Sequence, residues 1–328
     1  MTLNNKAIKI VSFIVKLAIV ICALWFLYTE IFKNEDIDKI RSYYVRLSSN
    51  QFTSLGLFLS LLLMPINWFL EIKKWQYLVS KIEHVSTTNA IKAILSGITI
   101  SAVMPNRTGE FLGRIAYVNN ADRIKAALIT IIGSLSQLTV TIFFGGLALI
   151  TLLLQNRFEI EPIMQYSLCI ILFCIITLTP IFYFNSSLIF TLTKNITVLN
   201  RLTKYAHVFK TYSFNELKNT LYFSFGRYFT FTTQFIILLH IFNVDISITN
   251  AIIAISAAFF VIATIPTPAL IEIGIREATS LLFISLFNAN QIGIISATFT
   301  LWLVNIAIPS LLGVVFIFQA KFVKSNRK

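Results

Sequence analysis

The sequence predicts an all-α polytopic membrane protein, one integral domain over 1–328, with six full transmembrane helices and two broken re-entrant helical hairpins. Hydrophobic residues make up 56% of the chain and charged residues 12%, with a mean hydropathy of +0.78, which excludes a soluble domain. Two apolar segments are too short to cross a bilayer and stop at proline. They occupy matching places in two halves of similar length, approximately 1–155 and 162–320, which predicts an inverted repeat.

The two short apolar segments carry most of this prediction. The first runs over 91–104 and breaks at Pro105, and the second runs over 250–265 and breaks at Pro266 and Pro268. Fourteen helical residues rise only about 21 Å, against a hydrocarbon core of roughly 30 Å. Because lipid offers no hydrogen-bond partner to a backbone that stops at mid-depth, such breaks belong inside protein or beside a water-filled cavity.

The apolar stretches between these breaks give the order of the elements. The predicted full spans are 10–32, 54–75, 126–154, 163–184, 217–242 and 291–319. The broken pairs are 91–104 with 108–120, and 249–264 with 269–287. An alternative counts the hairpins as spans, eight in all, and leaves both termini on the same side.

Loop charges orient the spans. The chain has a net charge of +13, and its basic residues concentrate before the first span, in 76–125, in 185–216 and after the last span. By the positive-inside rule both termini are cytoplasmic, so the first hairpin enters from the cytoplasm and the second from outside. The loop over 33–53 is an exception, with mixed charge. The excess of basic residues fits loops that face anionic lipid, and we expect no nucleic-acid partner.

Signatures of catalysis, metal binding and cofactor binding are absent from the sequence. The three cysteines lie in apolar stretches and are predicted to be small buried hydrophobic residues: Cys22, Cys169 and Cys174. The three histidines are scattered, and neither a zinc-protease motif nor a Gly-rich phosphate loop occurs. We therefore expect no enzyme, no catalytic residue, no metal and no cofactor.

The first hairpin carries a charged motif. Arg107, Glu110 and Arg114 are spaced i, i+3 and i+7, so they share one face of a helix that follows the break at Pro105. Two guanidinium groups beside one carboxylate suit bidentate binding of a phosphate. Gly109 allows another backbone or a ligand to approach closely. The alternative is an ion-pair network that holds the hairpin closed.

The second hairpin has a similar arrangement. Glu272 and Arg276 are spaced i and i+4 and can pair, with Glu277 adjacent. We expect these three residues to contribute to the substrate site, although they are equally consistent with caps of an interfacial helix. The predicted breaks of this hairpin are Pro266, Pro268 and Gly274.

Polar residues inside the full spans are further candidates. Arg227 lies ten residues into its span and either snorkels to the cytoplasmic interface or belongs to the substrate site. Gln137 and Gln234 are predicted to form hydrogen bonds between helices. Three others are candidates for lining a cavity: Asn67, Glu71 and Asn305.

These motifs resemble a known family. The run 104–110 followed by Arg114 is similar to the Pro-x-Arg-x-Gly-Glu-x-x-x-Arg signature of the lysylphosphatidylglycerol synthase transmembrane (flippase-like) family. Segments 266–268 and 274–277 resemble its second proline and Gly-x-x-Glu element. The chain departs from the family pattern at 269–270, where a Gly-Gly is frequent, and at 133–137, where Glu-Arg and Asp are frequent. The resemblance implies a stand-alone unit in a bacterial cytoplasmic membrane, without the aminoacyltransferase domain.

The motifs and the resemblance together predict a lipid flippase-like transporter or lipid-binding protein. Its partners would be the bilayer and an anionic phospholipid or lipid-linked substrate. One alternative is a membrane-embedded head-group or glycosyl transferase with Glu110 or Glu272 as the base. Another is a scaffold that recruits a lipid-modifying enzyme through the basic region 185–216. The sequence leaves open the lipid, the direction of movement, and assembly with a partner enzyme or a second copy.

Overall fold

The computed structural model describes residues 51–102, 104, 108–185, 207–265, 272–287 and 290–320, together with seven positions between 14 and 28. This part of the chain is helical and contains no strand. The seven N-terminal positions are helical and lie within the predicted first span, the rest of which is outside the described residues. The breaks at Pro105, Pro266 and Pro268 and the side chain of Arg107 are also outside them.

Nine helices make up the described residues from position 51 onward. They are α1 (Gln51–Val79), α2 (Thr87–Ser101), α3 (Gly109–Ile115), α4 (Arg123–Leu154), α5 (Pro162–Phe184), α6 (Phe214–Ile241), α7 (Ile248–Thr264), α8 (Glu272–Ile284) and α9 (Gln291–Ile317). A single helical turn, His207–Lys210, precedes α6, and α9 contains a π-helical stretch at Leu303–Ala307.

Helix starts follow local capping chemistry. The Ser86 hydroxyl accepts a hydrogen bond from the Asn89 backbone N–H, so α2 begins at Thr87, four residues before the predicted start of its apolar run. Ser213 and Glu216 form a capping box at the start of α6. Side-chain caps fix helix starts, whereas the hydrophobic pattern alone places them only within a turn or so.

Four helices are long and apolar enough to cross a membrane: Thr53–Val79, Arg123–Leu154, Pro162–Phe184 and Gln291–Ile317. Helix α6 has 28 residues, which is sufficient length, but it buries a row of polar side chains and is less apolar. Cys22 and Cys174 are exposed and Cys169 is partly exposed, so the prediction that the cysteines are buried is wrong. They lie on helix surfaces, where lipid would contact them.

Polar contacts between the ends of helices define two opposite faces of the protein. At the first face, the Glu83 carboxylate accepts hydrogen bonds from the backbone N–H groups of 119–121, and Lys81 pairs with Glu216 at 2.6 Å. At the second face, Arg157 donates to the carbonyl of Leu286 at 3.3 Å, and Asn290 donates to that of Asn243 at 2.9 Å.

The two hairpins enter from these opposite faces. The first hairpin, α2 with α3, has both ends at the first face, next to the end of α1. The second hairpin, α7 with α8, has both ends at the second face, next to the ends of α4 and α6. In each hairpin the two helices pack against each other.

Helix packing crosses between the two chain halves. Helix α1 packs along α6, α2 packs against the last part of α9, and α7 packs against α4. A glycine lies at each contact between a hairpin and a long helix. Where α4 meets α7, a Cβ on Gly145 would lie 2.6 Å from the carbonyl oxygen of Ser256. Where α9 meets α2, a Cβ on Gly313 would lie 2.1 Å from the carbonyl oxygen of Leu95. These backbone contacts leave no room for a side chain and hold each hairpin against a long helix of the other half.

Candidate functional site

A cavity of about 460 Å³ lies between the second hairpin and the helices α1, α4, α6 and α9. Its volume is within the range of ligand-binding pockets. Its polar lining comes from Asn67, Gln137, Thr141, Arg227, Thr264, Glu272, Arg276 and Asn305. Its apolar lining comes from Trp68, Tyr228, Phe231, Phe259, Ile262, Ala263, Ile265 and Ile306. Arg227 and Arg276 thus approach one cavity from different helices.

Arg227 on α6 is held in place by contacts from α1 and α4. Its Nε donates to the Asn67 side-chain oxygen at 3.0 Å, and its Nη1 lies 3.5 Å from the Gln137 side-chain oxygen. Its guanidinium carbon lies 5.3 Å from the centre of the Trp68 ring, a cation–π distance. Arg227 therefore does not snorkel to the interface, and that interpretation is wrong.

Glu71 on α1 is the centre of a buried charge network. Its Oε1 accepts from Arg114 Nη2 at 2.7 Å, and its Oε2 accepts from Lys74 at 2.8 Å and from Arg227 Nη1. Lys74 also donates to the Ser224 hydroxyl at 3.3 Å. Glu71 and Lys74 are 3% and 1% exposed, so these charges are stabilised by one another and not by water.

The first hairpin joins this network. On α3, Arg114 Nη2 donates to Glu110 Oε2 at 2.8 Å as well as to Glu71, and Arg114 is buried. Its Nε has no hydrogen-bond partner in the structure. Neither Glu110 nor Arg114 is among the residues that line the cavity. Of the predicted motif, the structure brings together Glu110 and Arg114, and it places them behind the cavity wall.

Close backbone contact explains the glycines of the first hairpin. A Cβ on Gly113 would lie 2.2 Å from the Gly97 backbone, and one on Gly109 would lie 2.4 Å from the backbone of 100–101. Real Cβ atoms do not approach so closely, so only glycine fits here. Helix α3 is thereby pressed against α2, which puts Arg114 within reach of Glu71.

The second hairpin presents its charges to the cavity. Glu272 and Arg276 pair on α8, with Glu272 Oε1 accepting from Arg276 Nη2 at 2.6 Å and from Nε at 3.1 Å. Glu277 is partly buried and is not among the lining residues. Gly274, predicted as a break, lies inside α8, and a Cβ there would meet nothing within 4 Å.

A chain of amide side chains links α1, α9 and α6 at the edge of the cavity. Asn67 donates to Asn305 at 3.3 Å, Asn305 donates to Gln234 at 2.8 Å, and Gln234 donates to the Ser60 carbonyl at 2.8 Å. Asn305 lies in the π-helical stretch of α9, and its backbone carbonyl accepts from the Trp68 indole at 3.2 Å. Of the three candidates for lining a cavity, Asn67 and Asn305 line it and Glu71 does not. The interhelical hydrogen bonds of Gln137 and Gln234 are confirmed.

An aromatic band forms one wall of the cavity. Tyr228 stacks on Phe144 with ring centres 5.0 Å apart, and its hydroxyl donates to Ser256 at 2.6 Å. Phe144 also contacts Phe225 and Phe229, which are exposed on the outer surface of α6. Aromatic side chains therefore separate the cavity from the bilayer between α4 and α6.

Lys74 is the charged residue of the site that the sequence interpretation missed. It lies at the end of the predicted span 54–75, where lysine is usually solvated at the interface. The signal that could have found it is periodicity: Asn67, Glu71 and Lys74 are spaced i, i+4 and i+7 and so share one face of α1. Among the described residues, no group of three or more His, Cys, Asp or Glu side chains could hold a metal ion.

Comparison with known proteins gives one family. A family model described as the lysylphosphatidylglycerol synthase TM region matches residues 13–313. No curated protein matches the chain. The match covers every described helix except the last few residues of α9.

Proposed function

Because the chain belongs to the lysylphosphatidylglycerol synthase transmembrane family, whose members are related to lipid handling, we propose that it binds the phosphate-bearing head group of a lipid in the central cavity and moves it between leaflets. The observation that carries the proposal is that two arginines from different helices, Arg227 and Arg276, line one cavity inside a membrane protein. Charged side chains at membrane depth are costly to keep and commonly mark substrate pathways.

The chemistry of the cavity suits a phosphate. Guanidinium groups bind phosphate oxygens through paired N–H donors, and Arg227 and Arg276 supply two such groups. Neutral donors next to them, Asn67 and Gln137, can complete the hydrogen bonding of the head group. The aromatic wall gives apolar surface for the glycerol and first acyl carbons, while the acyl chains stay in the bilayer.

Movement between leaflets would follow from the opposed hairpins. The first hairpin begins and ends at one face and the second at the other, and each packs against a long helix of the other chain half. This arrangement supports an inverted repeat, in which rocking of the halves opens a midplane site to each side in turn. We place the protein in a bacterial cytoplasmic membrane with the first face, rich in lysine, toward the cytoplasm.

Side-specific labelling tests the orientation. A single cysteine at Asn119, exposed at the first face, should react with a membrane-impermeant thiol reagent only from the cytoplasm. One at Glu159, exposed at the second face, should react only from outside. Both substitutions need a background in which the three native cysteines are serine. Reaction of both from the same side would contradict the proposed transport geometry.

Lipid identification and reconstitution test the function. We expect mass spectrometry of the purified protein to find a retained phospholipid or lipid-linked phosphate, and labelled lipid to exchange between leaflets in proteoliposomes. Arg276→Gln should abolish retention and exchange. Arg157→Gln is the matched control, because it removes an arginine at the second face that lies outside the cavity. Equal retention and exchange by wild-type and Arg276→Gln protein would refute the proposed site.

A further inference from the structure

Three cations share one buried carboxylate beside the cavity. Lys74, Arg114 and Arg227 all contact Glu71, which has only two oxygens. Lys74 and Arg114 are 1% and 3% exposed, and neither is among the residues that line the cavity. Arg227 is 16% exposed and does line it. The three cations are therefore not equivalent.

Two of these cations would satisfy Glu71 without the third. Removing the sole partner of a buried charge leaves it uncompensated, which is strongly destabilising. Here Lys74 contacts Oε2 and Arg114 contacts Oε1, so each oxygen keeps a cation when Arg227 is absent. Arg227 can therefore leave Glu71 without exposing an unpaired carboxylate inside the membrane.

We infer that Arg227 exchanges its contact with Glu71 for an oxygen of the bound phosphate, and that Lys74 makes this exchange possible by holding Glu71 Oε2 while Arg227 is away. Lys74 is thus a positioning residue that acts through Glu71 and does not touch the ligand. The inference rests on the proposed function, since it takes a phosphate in the cavity as its ligand. The contacts of Arg227 with Asn67 and Trp68, both cavity residues, keep the guanidinium next to the cavity during the exchange.

Single substitutions should change phosphate affinity in opposite directions. In Lys74→Met, a chain of similar length without charge, Arg227 becomes the only cation on Glu71 Oε2, and phosphate should bind about tenfold more weakly, the worth of one charge-assisted hydrogen bond. In Glu71→Gln, Arg227 is released in advance, and phosphate should bind several-fold, roughly fivefold, more tightly.

The double variant distinguishes the release of Arg227 from Glu71 from a general effect of the two charges on the electric field in the cavity. If the two charges acted only through the general field at the cavity, their effects would add, and Glu71→Gln/Lys74→Met would bind close to the wild-type value. If Lys74 acts through Glu71, the double variant should bind as Glu71→Gln does, because there is no longer a carboxylate to hold. Additive effects, or weaker binding by every variant, would overturn the inference.

The measurement is a titration of the full chain in nanodiscs of neutral lipid, followed by Trp68 fluorescence, with Trp68→Phe as the signal control. One arm uses inorganic phosphate and the other uses dihexanoyl phosphatidylglycerol, which distinguishes a free phosphate site from a lipid head-group site. If Lys74→Met does not fold, the phosphate affinities of Glu71→Gln and the double variant are sufficient to test the inference, which requires them to be equal. Absence of binding by the wild type would overturn the proposed function as well, whereas additivity with normal wild-type binding would overturn only the inference.

Discussion

In the first hairpin, Glu110 and Arg114 are four residues apart on α3, and in the second, Glu272 and Arg276 have the same spacing on α8. Both pairs are within ion-pair distance, at 2.8 and 2.6 Å. Arg114 also binds Glu71 and is 3% exposed, whereas Arg276 is 14% exposed and lines the cavity. The same local spacing thus gives a cavity-facing pair in the second hairpin and, in the first, a buried pair to which α1 supplies a second carboxylate.

The backbones of the two hairpins also differ, with close packing in the first and open space in the second. In the first, Gly113 lies against Gly97 so closely that no Cβ fits, and α3 has only 7 residues. In the second, Gly274 faces open space, and α8 has 13 residues. We therefore interpret the first hairpin as a support of the charge network, and the proposed function assigns contact with substrate to the second.

The largest expected difference between the two hairpins is in the free energy of unfolding lost when the arginine of each pair is replaced. Arg114→Gln should lower the free energy of unfolding by about 3 kcal/mol, because Glu110 and buried Glu71 both lose a donor. Arg276→Gln should lower it by less than about 1 kcal/mol, because Glu272 can be hydrated in the cavity. Denaturation in mixed micelles measures both values. Equal losses would show that the two pairs have the same structural role.

A smaller effect is expected from the glycines. Gly113→Ala should destabilise the protein by about 1–3 kcal/mol, because α3 must move away from α2. Gly274→Ala should be neutral or stabilising by up to about 1 kcal/mol, since alanine favours a helix and meets no neighbour. Thermal unfolding of the two variants checks the difference. A loss of stability in Gly274→Ala would contradict the open environment of the second hairpin.

For phosphate affinity we expect the opposite ranking, with a larger loss from the Arg276 variant than from the Arg114 variant. Arg276→Lys should weaken phosphate binding about five- to tenfold, roughly 1–1.4 kcal/mol, because an ammonium cannot reproduce the planar guanidinium fork. Arg114→Lys should leave phosphate affinity within about twofold of the wild type, provided that the protein folds, because Arg114 is not part of the cavity lining. A phosphate titration of both variants gives the answer. A larger loss in Arg114→Lys would return the site to the first hairpin.

The sequence predicts the fold well because its signals are local. Low charge, long apolar runs and short segments that stop at proline identify the helices and both hairpins, with bounds a few residues from those of α2, α3, α7 and α8. The described residues confirm the all-α membrane class. The helix ends differ because side chains such as Ser86 cap a helix before its apolar run begins.

The site was predictable only in part, because its contacts join distant segments. Charge at membrane depth brought Arg227, Glu272 and Arg276 into consideration, and the structure places all three on one cavity. The contact of Arg114 with Glu71 depends on how α3 packs against α2 and α4, so no residue spacing within α3 predicts it. The buried position of Lys74 likewise follows from the packing of α1 along α6.

The smallest expected effect concerns a charge pair outside both hairpins, which serves as a reference for them. Lys81 and Glu216 pair at the first face, with their side chains 36% and 24% exposed. Water already solvates these groups, so Lys81→Ala should lower the free energy of unfolding by only about 0.2–1 kcal/mol. High salt should abolish this difference, since screening lengths fall to roughly 3 Å at 1 M. The loss caused by Arg114→Gln should persist in the same salt, because ions do not reach the Arg114–Glu71 pair, whose side chains are each 3% exposed. If salt reduced both losses equally, the network around Glu71 would be hydrated, and the first hairpin would be as open to a ligand as the second.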